Sequence, residues 1–155
     1  RNKAGIRGQK MEYRENLEWI EYNPKGFNKY VGPFNIARIA DDRFYMCLTI
    51  RDEHLNQGGV VHGGVSMTLA DNGMGVAAFI SAGQPASTIE FSAKFIAAAK
   101  MGDPLHGEAV IERRTKDLCF LTAELWSGQR KSFVASGVWK YINPPRIGDG
   151  WSSIS

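Results

Sequence analysis

The densest group of residues able to do chemistry lies between Asn56 and Asp71. The run from Asn56 to Gly64 reads NQGGVVHGG, and Asp71 is the only charged residue of the segment from Gly63 to Ala82. A glycine-rich entry into a helix leaves the first backbone N–H groups, here those of Gly63 and Gly64, without helical partners. Such a terminus can hold a carbonyl oxygen that becomes negative during acyl transfer.

Asp71 is the sharper signal. No Lys or Arg lies between Gly63 and Ala93, so the carboxylate has no cationic neighbour in the sequence to offset its desolvation. A carboxylate whose pKa is raised by burial suits a general base or a nucleophile. The alternative is a structural role, in which Asp71 accepts a hydrogen bond from a strand. Thr88 and Glu90 alternate along the segment STIEF and could reach the helix.

The spacing of Gly63 and Asp71 requires a second chain. They are eight positions apart, which corresponds to roughly 12 Å of helix at about 1.5 Å per residue. One reacting carbonyl has to lie about 3 Å from both the oxyanion donors and the base or nucleophile. Two such helices, antiparallel across a two-fold axis, bring the start of one beside the middle of the other. We therefore predict an obligate dimer with two composite sites.

Other catalytic arrangements are disfavoured. Ser66 follows His62 by four residues, but GVSMT lacks the second glycine of a nucleophile elbow. His54, His62 and His106 are too scattered for a metal site. The sequence contains neither a phosphate-binding Gly-Lys-Ser/Thr nor a G-x-G-x-x-G motif. We expect no metal and no bound cofactor.

Composition narrows the class of protein. The 155 residues are 43% hydrophobic and 23% charged, as in a single globular domain. The net charge of +3 resides in the first 16 residues, and the remainder carries 14 charges of each sign, which disfavours a nucleic-acid partner. Without an uncharged apolar run of 18 residues, membrane insertion is also disfavoured. Cys47 and Cys119 lie alone in apolar stretches, which predicts free thiols and a cytoplasmic location.

The periodicity of apolar residues predicts the elements that position these groups. We expect a short amphipathic helix from Met11 to Tyr22, a hairpin over residues 34–50 with its turn at Asp41-Asp42, and a long helix over residues 63–82. Four strand-rich segments follow, Ser87–Ala98, Leu105–Thr115, Leu118–Ser127 and Lys131–Ile142.

The long helix is apolar on nearly every side, so it must be buried on nearly every side. We predict an α+β fold in which a curled antiparallel sheet of about five to six strands wraps this helix and a second copy covers the remainder, with dimerisation through the sheet. The predicted division is an N-terminal arm with the short helix at 1–25, one domain at 26–142 and a tail at 143–155.

The sequence resembles the hotdog-fold thioesterases, specifically the phenylacetate-pathway (PaaI-like) group of acyl-CoA thioesterases. The resemblance covers about residues 26–142 and includes GFNKYVGPF, a G-D turn at Gly102-Asp103 and TIEF at 88–91. Its most specific part is N-x-x-G-x-x-H-G-G, from Asn56 to Gly64, followed by LAD ending at Asp71.

The resemblance implies hydrolysis of an acyl-CoA by a dimer of hotdogs, often paired into a tetramer, without a metal. It makes Asp71 the nucleophile or general base and the Gly63 N–H, next to His62, the oxyanion donor. It also assigns Asn56 to orienting substrate or water and Thr88 to holding the attacking water. The residues expected to contact the substrate or to line the acyl channel are Gly64, Met67, Met74, Phe79, Phe91 and Phe95.

Several alternatives stay open at this level. Water can attack the thioester directly or through an acyl anhydride on Asp71, and the acyl group can be an aryl group or a medium or long chain. The cations that could contact the phosphates of coenzyme A are Lys94, Lys100, Arg130 and Lys131. The rival functions are a hotdog hydratase or dehydratase and a non-catalytic acyl-CoA-binding regulator.

Overall fold

One long helix lies on a single antiparallel sheet of seven strands in the computed structural model, which describes residues 17–20 and 25–142. The predicted α+β hotdog architecture is confirmed, with a slightly higher strand count than the five or six expected. The helices are α1 (Phe27–Val31) and α2 (Gly63–Ala82). The strands are β1 (Glu18–Trp19), β2 (Phe34–Ala40), β3 (Arg43–Leu48), β4 (Ala86–Phe95), β5 (Leu105–Arg114), β6 (Leu118–Ser127) and β7 (Arg130–Tyr141).

The strand order of the sheet is β1-β2-β3-β5-β6-β7-β4. Helix α2 is inserted between β3 and β4 in the chain, and β3 pairs with β5 while β4 pairs with β7. Strand β4 consequently forms one edge of the sheet, with one side of its backbone paired and the other side free within the described chain. Strand β4 also runs beside α2.

The core lies between α2 and one face of the sheet. Strand β6 alternates strictly between buried and partly exposed residues, as expected for a strand with one face on a core. Helix α2 closes that core, and Gly83, at φ 62°, ends the helix in the left-handed conformation that glycine tolerates. Among the described residues, no helix combines the length and apolarity needed to cross a membrane. The helix residues without accessible surface are Leu69, Ala70, Met74, Ala77 and Ala78.

Gly73 allows α2 to approach the sheet closely. A Cβ atom built at this position would overlap the Met46 thioether, which is buried beneath the helix. At Gly75, by contrast, the nearest neighbour of a Cβ would be Trp139 Nε1 at 3.4 Å. The close approach of α2 to the sheet therefore depends on Gly73 more than on Gly75.

The prediction of a helix from Met11 to Tyr22 is wrong where it can be compared, at residues 17–20. Here Glu18 and Trp19 pair with β2, and the Ile20 N–H donates to the Ile36 carbonyl at 2.9 Å. The Trp19 ring packs edge-on against Tyr45, with 6.3 Å between centroids, so pairing at the sheet edge prevails over the local helical periodicity. The other residues of that predicted helix, and the predicted tail at 143–155, lie outside the described residues.

The two helix glycines give a matched test of this packing. Gly75→Ala should hold or raise the free energy of unfolding because alanine favours the helix by up to about 1 kcal/mol. Gly73→Ala should be about 1–3 kcal/mol less stable than Gly75→Ala because its methyl group overpacks the core against Met46. Urea denaturation of both variants measures the difference, and equal stabilities would contradict the packing described.

Candidate active site

The loop before α2 is closed by Asn56. Its Oδ1 accepts hydrogen bonds from the N–H groups of Gly58, at 2.8 Å, and Val60, at 3.4 Å. Its own N–H donates to the Val60 carbonyl at 2.8 Å. The Oδ1 atom is therefore committed to the turn, and the Nδ2 group is the part of this exposed side chain left for a ligand. The predicted role of Asn56 toward substrate or water stays a prediction.

His54 anchors the same loop, a role that the sequence did not reveal. Its Nδ1 accepts the Arg51 N–H at 3.1 Å, and its Nε2–H donates to the Val31 carbonyl at 2.9 Å. Its carbonyl accepts the His62 N–H at 2.8 Å. Burial lowers the pKa of His54, which favours the neutral ring that these bonds require. A single histidine in a polar loop carries no pattern that would have predicted this anchor.

His62 caps the start of α2. Its Nδ1 accepts the Gly64 N–H at 2.9 Å, and its carbonyl accepts the Val65 N–H at 2.9 Å. The expectation that the N–H groups of both glycines are available is thereby corrected, since the ring of His62 occupies that of Gly64. The Gly63 N–H has no hydrogen-bond partner within the described chain, so it is the donor that remains for a ligand.

Gly63 lines a cavity of about 440 Å³. The Phe95 ring packs so closely on Gly63 that a Cβ at this position would lie 2.7 Å from a ring carbon. Glycine therefore lets the aromatic ring lie beside the free N–H. The lining residues are Val61, Gly63, Ser66, Phe95, Ile96, Ala97, Ala98, Ala99 and Ser132.

Asp71 is half-buried in the middle of α2. Thr88, on β4, donates its hydroxyl proton to Asp71 Oδ1 over 2.8 Å. Burial raises the pKa of Asp71, and the weaker effect of the Thr88 hydrogen bond lowers it. Among the described residues no Lys, Arg or His forms an ion pair with this carboxylate. The result is an oriented, desolvated carboxylate, the chemical type of a general base or nucleophile.

The residues predicted to line the acyl channel divide into two groups. Met67, Phe79, Phe91 and Phe95 retain accessible surface along α2 and β4. Met74 has none, because it points from α2 into the core. The prediction that Met74 contacts substrate is therefore corrected to a packing role.

Other residues with reactive or charged side chains form contacts elsewhere. Lys131 pairs with Glu124 at 2.7 Å and lies 5.2 Å from the centroid of the Trp126 ring. Neither Cys47 nor Cys119 forms a disulfide, as predicted, and burial raises the pKa of Cys119 away from reactivity. The described residues contain no group of three or more His, Cys, Asp or Glu side chains suited to a metal ion.

Comparison with known proteins decides the family. The sequence model of the thioesterase superfamily matches residues 58–134 of this chain. Protein PA0474 of Pseudomonas aeruginosa, an esterase by name, is 36% identical over 110 residues, which span 70% of this chain and 82% of that protein. This chain belongs to the thioesterase superfamily.

Two further relatives agree. Human acyl-coenzyme A thioesterase 13 is 24% identical over 114 residues, covering 73% of this chain and 81% of that protein. A mutant form of the phenylacetic acid degradation protein PaaI from Thermus thermophilus shares the fold, with a TM-score of 0.68 at 20% identity over 75% of this chain and 98% of that chain. The predicted hotdog fold and the membership of the thioesterase superfamily are confirmed. The roles of individual residues stay predictions.

Burial of Asp71 has a measurable effect on stability. A carboxyl whose pKa is raised in the folded state favours folding when protonated, and this contribution is lost as the pH rises from the ordinary value of 3.8 through the raised value. Asp71→Asn removes the charge and keeps an oxygen for Thr88. We expect the variant to melt above the wild type at neutral pH and the difference to shrink as the pH falls toward 3.8. Thermal melts across that range measure this, and a less stable variant at neutral pH would contradict it.

Proposed function

We propose that this protein hydrolyses acyl-CoA thioesters at sites shared by two copies of the chain. The observation that carries the proposal is the Asp71 carboxylate, desolvated within an apolar helix and held at 2.8 Å by the Thr88 hydroxyl. Membership of the thioesterase superfamily and the likeness to a named acyl-coenzyme A thioesterase support the substrate class. The acyl group is an aryl group or a medium or long chain, beside Met67, Phe91 and Phe95.

In the proposed reaction the Gly63 N–H donates to the thioester carbonyl oxygen. Asp71 takes a proton from a water molecule, and the water oxygen attacks the carbonyl carbon. The carbonyl oxygen gains negative charge, which the N–H and the positive end of α2 stabilise. The C–S bond then breaks, and the proton on Asp71 passes to the leaving thiolate. Water, Asp71, Thr88 and Gly63 supply all the groups required, without a metal or further cofactor.

A route through a covalent anhydride uses the same residues. Here Asp71 attacks the carbonyl carbon, coenzyme A leaves as the thiolate, and water then hydrolyses the anhydride. A hydratase or dehydratase would instead need a histidine free to exchange protons with substrate. Since His62 Nδ1 accepts the Gly64 N–H, we assign this ring to capping the helix.

The free edge of β4 supports the shared site. Thr88 contacts Asp71 and Phe95 contacts Gly63, and roughly 23 Å of strand separates the two contacts at about 3.3 Å per residue. If two copies of β4 pair antiparallel about a two-fold axis midway between Phe91 and Ser92, Thr88 of one copy lies opposite Phe95 of the other. The same pairing places Asp71 of one protomer beside Gly63 of its partner.

Exposed apolar side chains on this edge support the same dimer. Ile89 is 56% exposed, Ile96 is 54% exposed and Phe95 is 59% exposed, and Met67 faces outward on α2. Large apolar groups along the unpaired edge of a strand mark a surface that another chain covers. We therefore propose a homodimer formed through β4.

Activity of Asp71 and Thr88 variants tests the chemistry. Asp71→Asn should lower kcat for acyl-CoA hydrolysis by about 10²–10⁴-fold, because it removes the base. In the wild type the acidic limb of the rate profile should lie above pH 3.8, because burial raises the pKa of Asp71. Thr88→Val removes the hydrogen bond that lowers this pKa, so its acidic limb should move to still higher pH.

The matched control is Thr122→Val, which removes the hydroxyl that donates to Glu112 at 2.6 Å. Thr122 lies on β6, away from α2, so this variant should keep the wild-type profile. A thiol-release assay over a panel of acyl-CoAs gives the rates. Wild-type turnover by Asp71→Asn would overturn the proposed role of Asp71.

Mixing two inactive variants tests the shared site. Gly63→Pro removes the N–H at the first helical position, where proline is tolerated, while Gly63→Ala carries a Cβ but keeps the N–H. Gly63→Pro should therefore lose activity beyond Gly63→Ala. After subunit exchange with Asp71→Asn, half of the dimers carry one intact site, and activity should recover to about a quarter of the wild-type value. Exchange without any recovery would contradict a site built from two chains.

A further inference from the structure

Ser66 is a buried residue whose hydroxyl has no partner among the described residues. The residue is 5% exposed, it lines the same cavity as Gly63, and its hydroxyl forms no hydrogen bond within the described chain. The other hydroxyls of α2 behave differently: Thr68 donates to the Gly64 carbonyl at 2.7 Å and Ser81 donates to the Ala78 carbonyl at 3.0 Å. Bonding back to the helix is thus available to residues of this type, and Ser66 does not use it.

The unpaired Ser66 hydroxyl keeps accessible surface, since it is not among the fully buried side-chain oxygens that lack a hydrogen bond. It is therefore open to a molecule in the cavity. The cavity around it is lined mainly by apolar side chains, among them Val61, Phe95 and Ile96. Ser132, the other hydroxyl in the lining, already donates to the Leu125 carbonyl at 3.3 Å. A ligand that carries a hydrogen-bond acceptor in this cavity would give the Ser66 hydroxyl a partner.

The position of that acceptor follows from helix geometry. Ser66 lies three residues after Gly63, so both are on the same face of α2. The Cα–Cβ bonds of a helix tilt toward its N-terminus, which directs the Ser66 side chain toward the free Gly63 N–H. An oxygen placed off the end of the helix in this cavity is therefore within reach of both donors.

We infer that Ser66 is a second hydrogen-bond donor to the thioester carbonyl, alongside the Gly63 N–H. This inference rests on the proposed function. The hydroxyl keeps its proton, forms no covalent bond to the acyl group, and strengthens its hydrogen bond as the carbonyl oxygen gains charge. It does not act as a nucleophile, since the Nδ1 atom of His62 is occupied by the Gly64 N–H and no hydrogen bond joins Ser66 to a base within the described residues.

The test compares Ser66→Ala with the control variant Ser81→Ala. The control removes a hydroxyl of the same helix that already donates a hydrogen bond to a backbone carbonyl. For acyl-CoAs that the wild type hydrolyses, Ser66→Ala should lower kcat by about 100-fold with little change in KM, as expected for a donor whose bond strengthens in the transition state. Inhibition by a CoA thioether, in which a methylene group replaces the carbonyl, should be unchanged. Ser66→Ala should melt close to the wild-type temperature because the hydroxyl bonds to no group of the described protein. Ser81→Ala should keep the wild-type kcat.

The outcomes separate this inference from the proposed function. A wild-type protein that releases no thiol from any acyl-CoA of the panel would overturn the proposed function, and this inference with it. Wild-type turnover together with an unchanged kcat for Ser66→Ala would overturn the inference alone. A loss of both kcat and melting temperature in Ser66→Ala would also overturn it, since that result indicates a structural role.

Discussion

The rigidity of α2 is the constraint on which the rest of the structure depends. Gly63 and Asp71 are fixed on one helix, roughly 12 Å apart at about 1.5 Å per residue. A helix packed by its apolar surface against the sheet, with Gly73 in close contact with Met46, cannot bend to bring them together. An oxyanion donor and a base of the same chain therefore serve different carbonyls, and each proposed site takes one group from each of two protomers.

The position of β4 in the sheet links that constraint to the proposed dimer. Strand β4 contacts both functional points of α2, through Thr88 at Asp71 and Phe95 at Gly63, and it is also the edge with free backbone groups. One strand thus orients the carboxylate, packs on the helix start and offers the surface for a second copy. The apolar residues exposed along it are compatible with burial in a dimer and cost solubility in a monomer.

Much of this arrangement follows from the sequence because it is local. The bounds of α2 were predicted to the residue from a run in which Asp71 is the only charged residue, and those of β6 from a strand-rich segment. Contacts that depend on tertiary structure were beyond prediction. Trp19 is extended and packs against Tyr45 across the sheet. The Gly64 N–H donates to the ring of His62, whose rotamer no sequence pattern predicts. Met74 points into the core from a helix that is apolar on nearly all sides, so its direction could not be read from the sequence. For Thr88, the sequence indicated only that a side chain on this strand could reach the helix. It did not predict the hydrogen bond to Asp71.

A crystal structure with a non-hydrolysable CoA ketone, in which a methylene group replaces the thioester sulfur and the carbonyl remains, tests the shared site most directly. We expect the ketone oxygen within hydrogen-bonding distance of Gly63 N of one protomer, and the carboxylate beside the ketone carbon to be Asp71 of the other protomer. A ligand whose carbonyl meets both groups from a single chain, or that binds away from the start of α2, would contradict the account.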